Sequence, residues 1–164
     1  MRKIICVLLA VLLMGAYCVF AIASGESESE NQGEGAAEKN EDNSNLGNYL
    51  VEIKSCRLAK DYEGKDVIIV TYGFTNNDDD SAAFYVAFED EAYQNGVGLN
   101  KAYMLDESAN YSSDNQSKDI KKGATIDVEV AYTLNDTVTD VEVEVSELIS
   151  FNDKVITKTF KIAE

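Results

Sequence analysis

From Ala124 to Leu134, apolar and polar side chains alternate without a break. Ile126, Val128, Val130, Tyr132 and Leu134 fall on one side of an extended chain, and Thr125, Asp127, Glu129 and Thr133 fall on the other with Ala131. A period of two belongs to a strand packed on one face, and no helix gathers that pattern onto one side. Val141, Val143 and Val145 repeat it between Glu142 and Glu144. Asp66–Thr75 is apolar on both faces and reads as a central strand, with Ile68, Val70, Tyr72 and Phe74 inward and a bulge at Gly73. Tyr49–Leu58 adds a strand with Val51 and Ile53 inward. Ala82–Phe88 adds one with Phe84, Val86 and Phe88 inward and Tyr85 opposite. Gly96–Leu105 is less regular, and Lys154–Ala163 closes the chain with Phe160 and Ile162 inward. Turn signals separate these runs at Asp61–Gly64, Asn76–Asp80, Asp106–Ser117, Lys122-Gly123, Asn135-Asp136 and Asn152-Asp153. About seven short strands with almost no helical periodicity predict an all-β fold, an immunoglobulin-like antiparallel β-sandwich. A small antiparallel barrel is the alternative. The chain has no Trp, so the Cys–Trp–Cys core of antibody domains is missing.

The region ahead of these strands has a different composition. Arg2 and Lys3 precede an uncharged stretch from Ile4 to Ala23 that ends in Ala21-Ile22-Ala23, the layout of a secretory signal peptide cleaved before Ser24. Two alternatives stay open. The segment is long enough to remain as a membrane anchor, and Cys18 could carry lipid, although Tyr17 stands where such signals have a small residue. Residues 24–47 are rich in Glu, Gly and Ser and read as a disordered acidic linker. The predicted organisation is therefore a signal at 1–23, a linker at 24–47 and a sandwich at 48–164, in a protein that is secreted or held on the outer face of the cell envelope.

Composition narrows the chemistry. There is no His, which excludes His-based triads and His-ligated metals. With 30 acidic against 14 basic residues the net charge is −16, which argues against nucleic acid and against anionic lipid head groups as partners. Cys56 is the one cysteine beyond the signal and reads as a small buried apolar residue. Asn76–Asp80 and Glu89-Asp90-Glu91 read as solvated turn acids at opposite ends of one strand. No cofactor is expected, and weak Ca²⁺ binding is the exception considered. A Ca²⁺ loop starting at Asn76 would need Gly at Ser81 and Glu at Ala87. Asp127/Glu129 and Glu142/Glu144 are acid pairs on polar outer faces, away from the desolvated cleft that a carboxylate hydrolase requires. Tyr85, Tyr93, Tyr103 and Tyr111, with Tyr62 beside them, form the candidate binding surface, and Asn110–Ser117 has the composition of a recognition loop. The expected function is a non-enzymatic binding module for an envelope or extracellular protein or glycan. A spacer domain and a carboxylate hydrolase are the alternatives.

Three stretches carry a family resemblance. They are Tyr49–Ile53 with Cys56–Lys65 and Val70–Asn76, then Tyr93–Val97, then Gln116–Ala124. Together with the acidic linker behind a signal, they resemble a family of secreted Gram-positive bacterial proteins catalogued as domain of unknown function 5067. The resemblance spans nearly all of Asn48–Glu164 and implies an immunoglobulin-like fold. It implies no catalytic residue, ligand or activity.

Overall fold

The computed structural model describes residues 44–104, 110–151 and 153–163. The signal segment with Cys18, the linker up to residue 43, and parts of the Asp106–Ser117 and Asn152-Asp153 turns lie outside them. The strands are β1 (Asn45–Leu46), β2 (Tyr49–Lys60), β3 (Asp66–Asn76), β4 (Phe88–Gln94), β5 (Val97–Gly98), β6 (Thr125–Thr133), β7 (Val141–Glu147) and β8 (Val155–Phe160). One helical turn, α1 (Phe84–Ala87), precedes β4. Sheet I has the order β1-β2-β3-β6 and sheet II the order β5-β4-β7-β8, with every pairing antiparallel. The chain changes sheet after β3, after β5 and after β6. That is the Greek-key arrangement of an immunoglobulin-like sandwich, in two sheets rather than one closed barrel.

Strand β3 is central because both its faces are apolar. Ile68, Val70, Tyr72 and Phe74 are wholly buried on the inner face, each contributing about 1.5–3 kcal/mol by leaving water. They meet Val128, Val130 and Tyr132 of β6 and Val141, Val143 and Val145 of β7 in one core. Phe74, Phe84, Phe88 and Tyr49 pack edge-on or tilted within it. The outer face of β3, Val67 and Ile69, makes a second cluster with Ala131 and Tyr111.

Several expectations are corrected. Ala82–Phe88 is not a strand. The turn α1 directs Phe84 and Ala87 inward and leaves Tyr85 and Val86 exposed, because positions three apart share a helix face. The strand follows it as β4, so Glu89, Asp90 and Glu91 lie on a strand and not in a turn. The predicted Gly96–Leu105 strand shrinks to β5, after which Lys101 bridges to Tyr132 of β6. The bulge lies in β2 between Ile53 and Ser55, opposite Tyr72 and Thr71, while Gly73 pairs regularly with Glu52. Gly73 is instead where Lys54 crosses the sheet. A Cβ there would stand 2.6 Å from Lys54 Cε, and the lysine continues to Asp127 Oδ1 at 2.6 Å. Leu46, assigned to the linker from sequence, is buried in the core on β1.

Polar residues fix the turns. Asp61 Oδ1 accepts the N–H groups of Glu63 and Lys65. Buried Asn76 donates to the carbonyls of Asp80 and Ile120. Asn95 and Gly96 take φ of 50° and 72°, the two-residue hairpin turn that Asn-Gly favours. Among the described residues no helix is long and apolar enough to cross a membrane.

Candidate functional site

The inward positions of β4 are Phe88, Asp90, Ala92 and Gln94, all buried. An acid and an amide therefore occupy places that a simple apolar alternation would fill. Gln94 is absorbed by the β6–β7 connection. Its Nε2 donates to the carbonyls of Asp136 and Thr139, and its Oε1 accepts the N–H of Asn135. Asp90 starts a polar chain inside the sandwich. Its Oδ1 accepts from Lys101 Nζ at 2.8 Å, and its Oδ2 accepts from the Tyr132 hydroxyl. Because Tyr132 gives its proton to the carboxylate, Tyr72, whose hydroxyl is 3.2 Å away, donates in turn to Tyr132.

Burial pushes both phenols far above the usual tyrosine range, with the nearby Asp90 charge adding to the effect. Neither trades its proton near neutral pH, so the chain holds Lys101 in place rather than moving protons. The linkage has one sign. Above pH 10 the unfolded chain loses phenolic protons that the folded chain keeps, so stability falls as pH rises. Each hydroxyl is expected to cost about 1.4 kcal/mol by pH 11. Urea unfolding at pH 8 and pH 11 should show a smaller loss in Tyr72→Phe than in the unaltered chain.

Two clefts open on either side of Lys101. One of about 390 Å³ is walled by α1, β4 and Leu99, and takes in Tyr85, Phe88, Glu89, Glu91 and Leu148. The other, of about 460 Å³, is walled by Ala102, Tyr103, Met104, Tyr111 and Ser113. Lys101 and Gln116 line both. Gln116 Nε2 is fixed by Tyr111 Oη at 3.0 Å and Glu129 O at 2.6 Å. Lys101 keeps 57% of its side chain exposed although Asp90 keeps only 4%. A positioned ammonium thus stands where the clefts meet, beside an amide and phenolic rings, groups that suit hydrogen-bonded recognition of a polar ligand.

The tyrosines singled out from sequence divide. Tyr85 is exposed on α1 and lines the first cleft. Tyr103 is 77% exposed, lines the second, and meets Tyr62 edge-on at 6.3 Å. Tyr93 lies on the outer face of β4, where its hydroxyl donates to Glu91 Oε2 at 2.6 Å. That bond pushes its pKa up to about 12. Tyr111 is corrected: it is only 7% exposed and covers Val67 and Ile69 on the outside of β3. Asn110–Ser117 is likewise a cover, tied to β6 by Asn115 and Gln116.

The carboxylates elsewhere have partners or face solvent. Asp79 pairs with Lys122, Asp78 accepts from Asn48, Asp127 pairs with Lys54 and Glu129 with Arg57. Glu144 sits across the ladder from Glu91 on the outer face of sheet II. Among the described residues no group of three or more acids and cysteines is spaced to hold a metal ion. Burial pushes the Cys56 thiol up to about 11, so it carries little thiolate at neutral pH.

Sequence reasoning missed Asp90, Lys101, Gln116 and the two buried hydroxyls. The alternation Phe88, Asp90, Ala92, Gln94 was a usable signal only to a reading that admits polar residues on an inner face.

The fold has relatives of known structure. A candidate lipoprotein from Staphylococcus aureus superposes with a TM-score of 0.55 at 20% identity, over 70% of this chain and 84% of its own. A protein from Enterococcus faecalis does so with a TM-score of 0.54 at 20% identity, over 75% of this chain and 92% of its own. No curated protein matches the chain significantly. Residues 24–147 match the model of the domain of unknown function DUF5067, and the chain belongs to that family.

Proposed function

We propose that the chain is a non-enzymatic extracellular domain of the cell envelope that binds a protein or glycan in the paired clefts around Lys101. The observation that carries this reading is the shared rim. Lys101 and Gln116 line both clefts and are held by buried or backbone partners, while Tyr85 and Tyr103 offer exposed amphipathic rings on either side. Preorganised polar groups beside rigid rings lower the ordering cost of binding. An envelope location accords with the uncharged N-terminal segment and with a structural neighbour described as a candidate lipoprotein.

The test is retention of solubilised envelope components by the immobilised full chain, with and without Ca²⁺, followed by identification of what is retained. Saturable retention that falls at least tenfold in the Tyr85→Ala/Tyr103→Ala variant supports the clefts as the binding surface. Retention unchanged by those substitutions places binding elsewhere, and no retention favours a spacer domain.

A further inference from the structure

Strand β4 is fully paired along one side only. Toward β7 its ladder runs unbroken from Phe88 to Tyr93. Toward β5 it is paired at Tyr93 and Gln94, with one further bond from the Leu99 N–H to Ala92 O. The chain then leaves the sheet. Asn100 O accepts from the Thr133 N–H, and the Ala102 N–H donates to Ala131 O, so the segment that would have covered β4 runs beside β6 instead. The first cleft is the split between these two courses. Consecutive residues from Phe88 to Ala92 line it. Successive side chains of a strand point to opposite faces, so only the strand's edge brings all of them to one cleft.

Hydrogen-bonding direction also alternates along an antiparallel strand. Because Ala92 O turns toward β5 to meet Leu99, the main chains of Asp90 and Phe88 turn the same way. The Phe88 N–H is taken by Phe84 O. The Phe88 carbonyl and both main-chain groups of Asp90 have no partner among the described residues, although both residues are buried. Main-chain groups of buried residues are rarely left so, and these stand in the spacing that an added strand satisfies.

We propose that the first cleft takes an extended peptide, which joins sheet II as a strand beside Phe88–Ala92 and carries Lys or Arg on its outward positions. This rests on the reading above that the cleft is a binding surface, and it names a protein segment as the occupant. The open edge is about 13 Å long, enough for four or five residues in register. The outward positions of β4 are Glu89 and Glu91, both exposed, and Glu144 stands across the ladder from Glu91. Basic side chains on the added strand would meet opposite charge there. A second copy is a poor occupant, because its own Glu89 and Glu91 would oppose these acids. The edge is also recessed, since Phe88, Asp90 and Ala92 are buried, so a single strand reaches it where a folded sandwich does not.

The probe is an acetylated, amidated heptapeptide of alternating Lys and Val, with two derivatives N-methylated at every Val or at every Lys. An N-methyl group removes a main-chain donor, and only alternate residues of an added strand turn theirs toward β4. On the immobilised full chain, one derivative is expected to bind about tenfold more weakly than the parent and the other about as well. That loss matches one or two main-chain hydrogen bonds. The parent peptide should slow amide hydrogen exchange at Asp90 and leave Val155–Phe160 unchanged, and Glu89→Gln/Glu91→Gln should weaken its binding about fivefold. Equal behaviour of the two derivatives, or protection that misses Asp90, overturns the proposal. Cellotetraose serves as a neutral glycan probe. Protection of Asp90 by cellotetraose and not by the peptide overturns the added strand while the paired-cleft reading stands. Envelope retention that Tyr85→Ala/Tyr103→Ala leaves unchanged removes that reading, and this proposal with it.

Discussion

Replacing Lys101 by Met is expected to cost the domain about 3 kcal/mol, with most of that loss recovered when Asp90 is changed to Asn in the same chain. The argument lies in the unequal exposure of the pair. Lys101 is largely in water and loses little by itself, whereas the Asp90 carboxylate has 4% of its surface exposed and depends on the ammonium 2.8 Å away. Without that cation the Tyr132 hydroxyl alone faces a buried negative charge. Asn in place of Asp90 removes the charge and keeps an acceptor for Tyr132. Urea denaturation of both single variants and the double variant measures the coupling directly. Additive losses would show that Asp90 and Lys101 do not act as a pair, and would remove the physical reason for a fixed ammonium between the clefts.

Phe84→Ala is expected to cost about 4 kcal/mol, while Val86→Ser stays within about 0.5 kcal/mol of the unaltered chain. Strand geometry would place both side chains on one face, whereas the turn α1 separates them. Phe84 is 1% exposed and lies 5.2 Å from the Tyr72 ring and 5.3 Å from the Phe88 ring, centroid to centroid. Truncation opens a cavity among aromatic rings that rigid neighbouring strands cannot collapse. Val86 is 48% exposed and loses almost nothing. Thermal or chemical unfolding of the two variants decides the matter, and similar losses at both positions would restore the strand.

The large elements were legible because their inner faces are purely apolar. Ile126 to Leu134 shows period two, Ile68 to Phe74 has an unbroken apolar inner face with apolar Ile69 on the outer one, and the structure pairs the two runs as neighbours in sheet I. Strand β4 was not legible, because the charge of Asp90 and the amide of Gln94 interrupt the pattern, and both are compensated only by residues distant in sequence. Gln94 is satisfied from Asp136 and Thr139, and Asp90 from Lys101 and Tyr132. The candidate site depends on that same long-range compensation, so its polar centre stayed hidden even though two of its rim tyrosines were found. Tyr111 was misread for the opposite reason. The outer apolar face of β3 was visible in the sequence, but what would cover it was not.

The pairing of β3 with β6 also governs the order in which the chain can fold. Tyr72 and Tyr132, bonded across these strands, are 60 residues apart in sequence. The hairpin of β2 and β3 can form early and locally, yet one edge of β3 stays unpaired until β6 has been delivered. Loop closure over such distances is slow, and an unpaired apolar strand invites intermolecular pairing while it waits. The excess of acidic residues then has a kinetic role. A net charge of −16 keeps half-assembled copies apart during the interval in which their central strands are exposed.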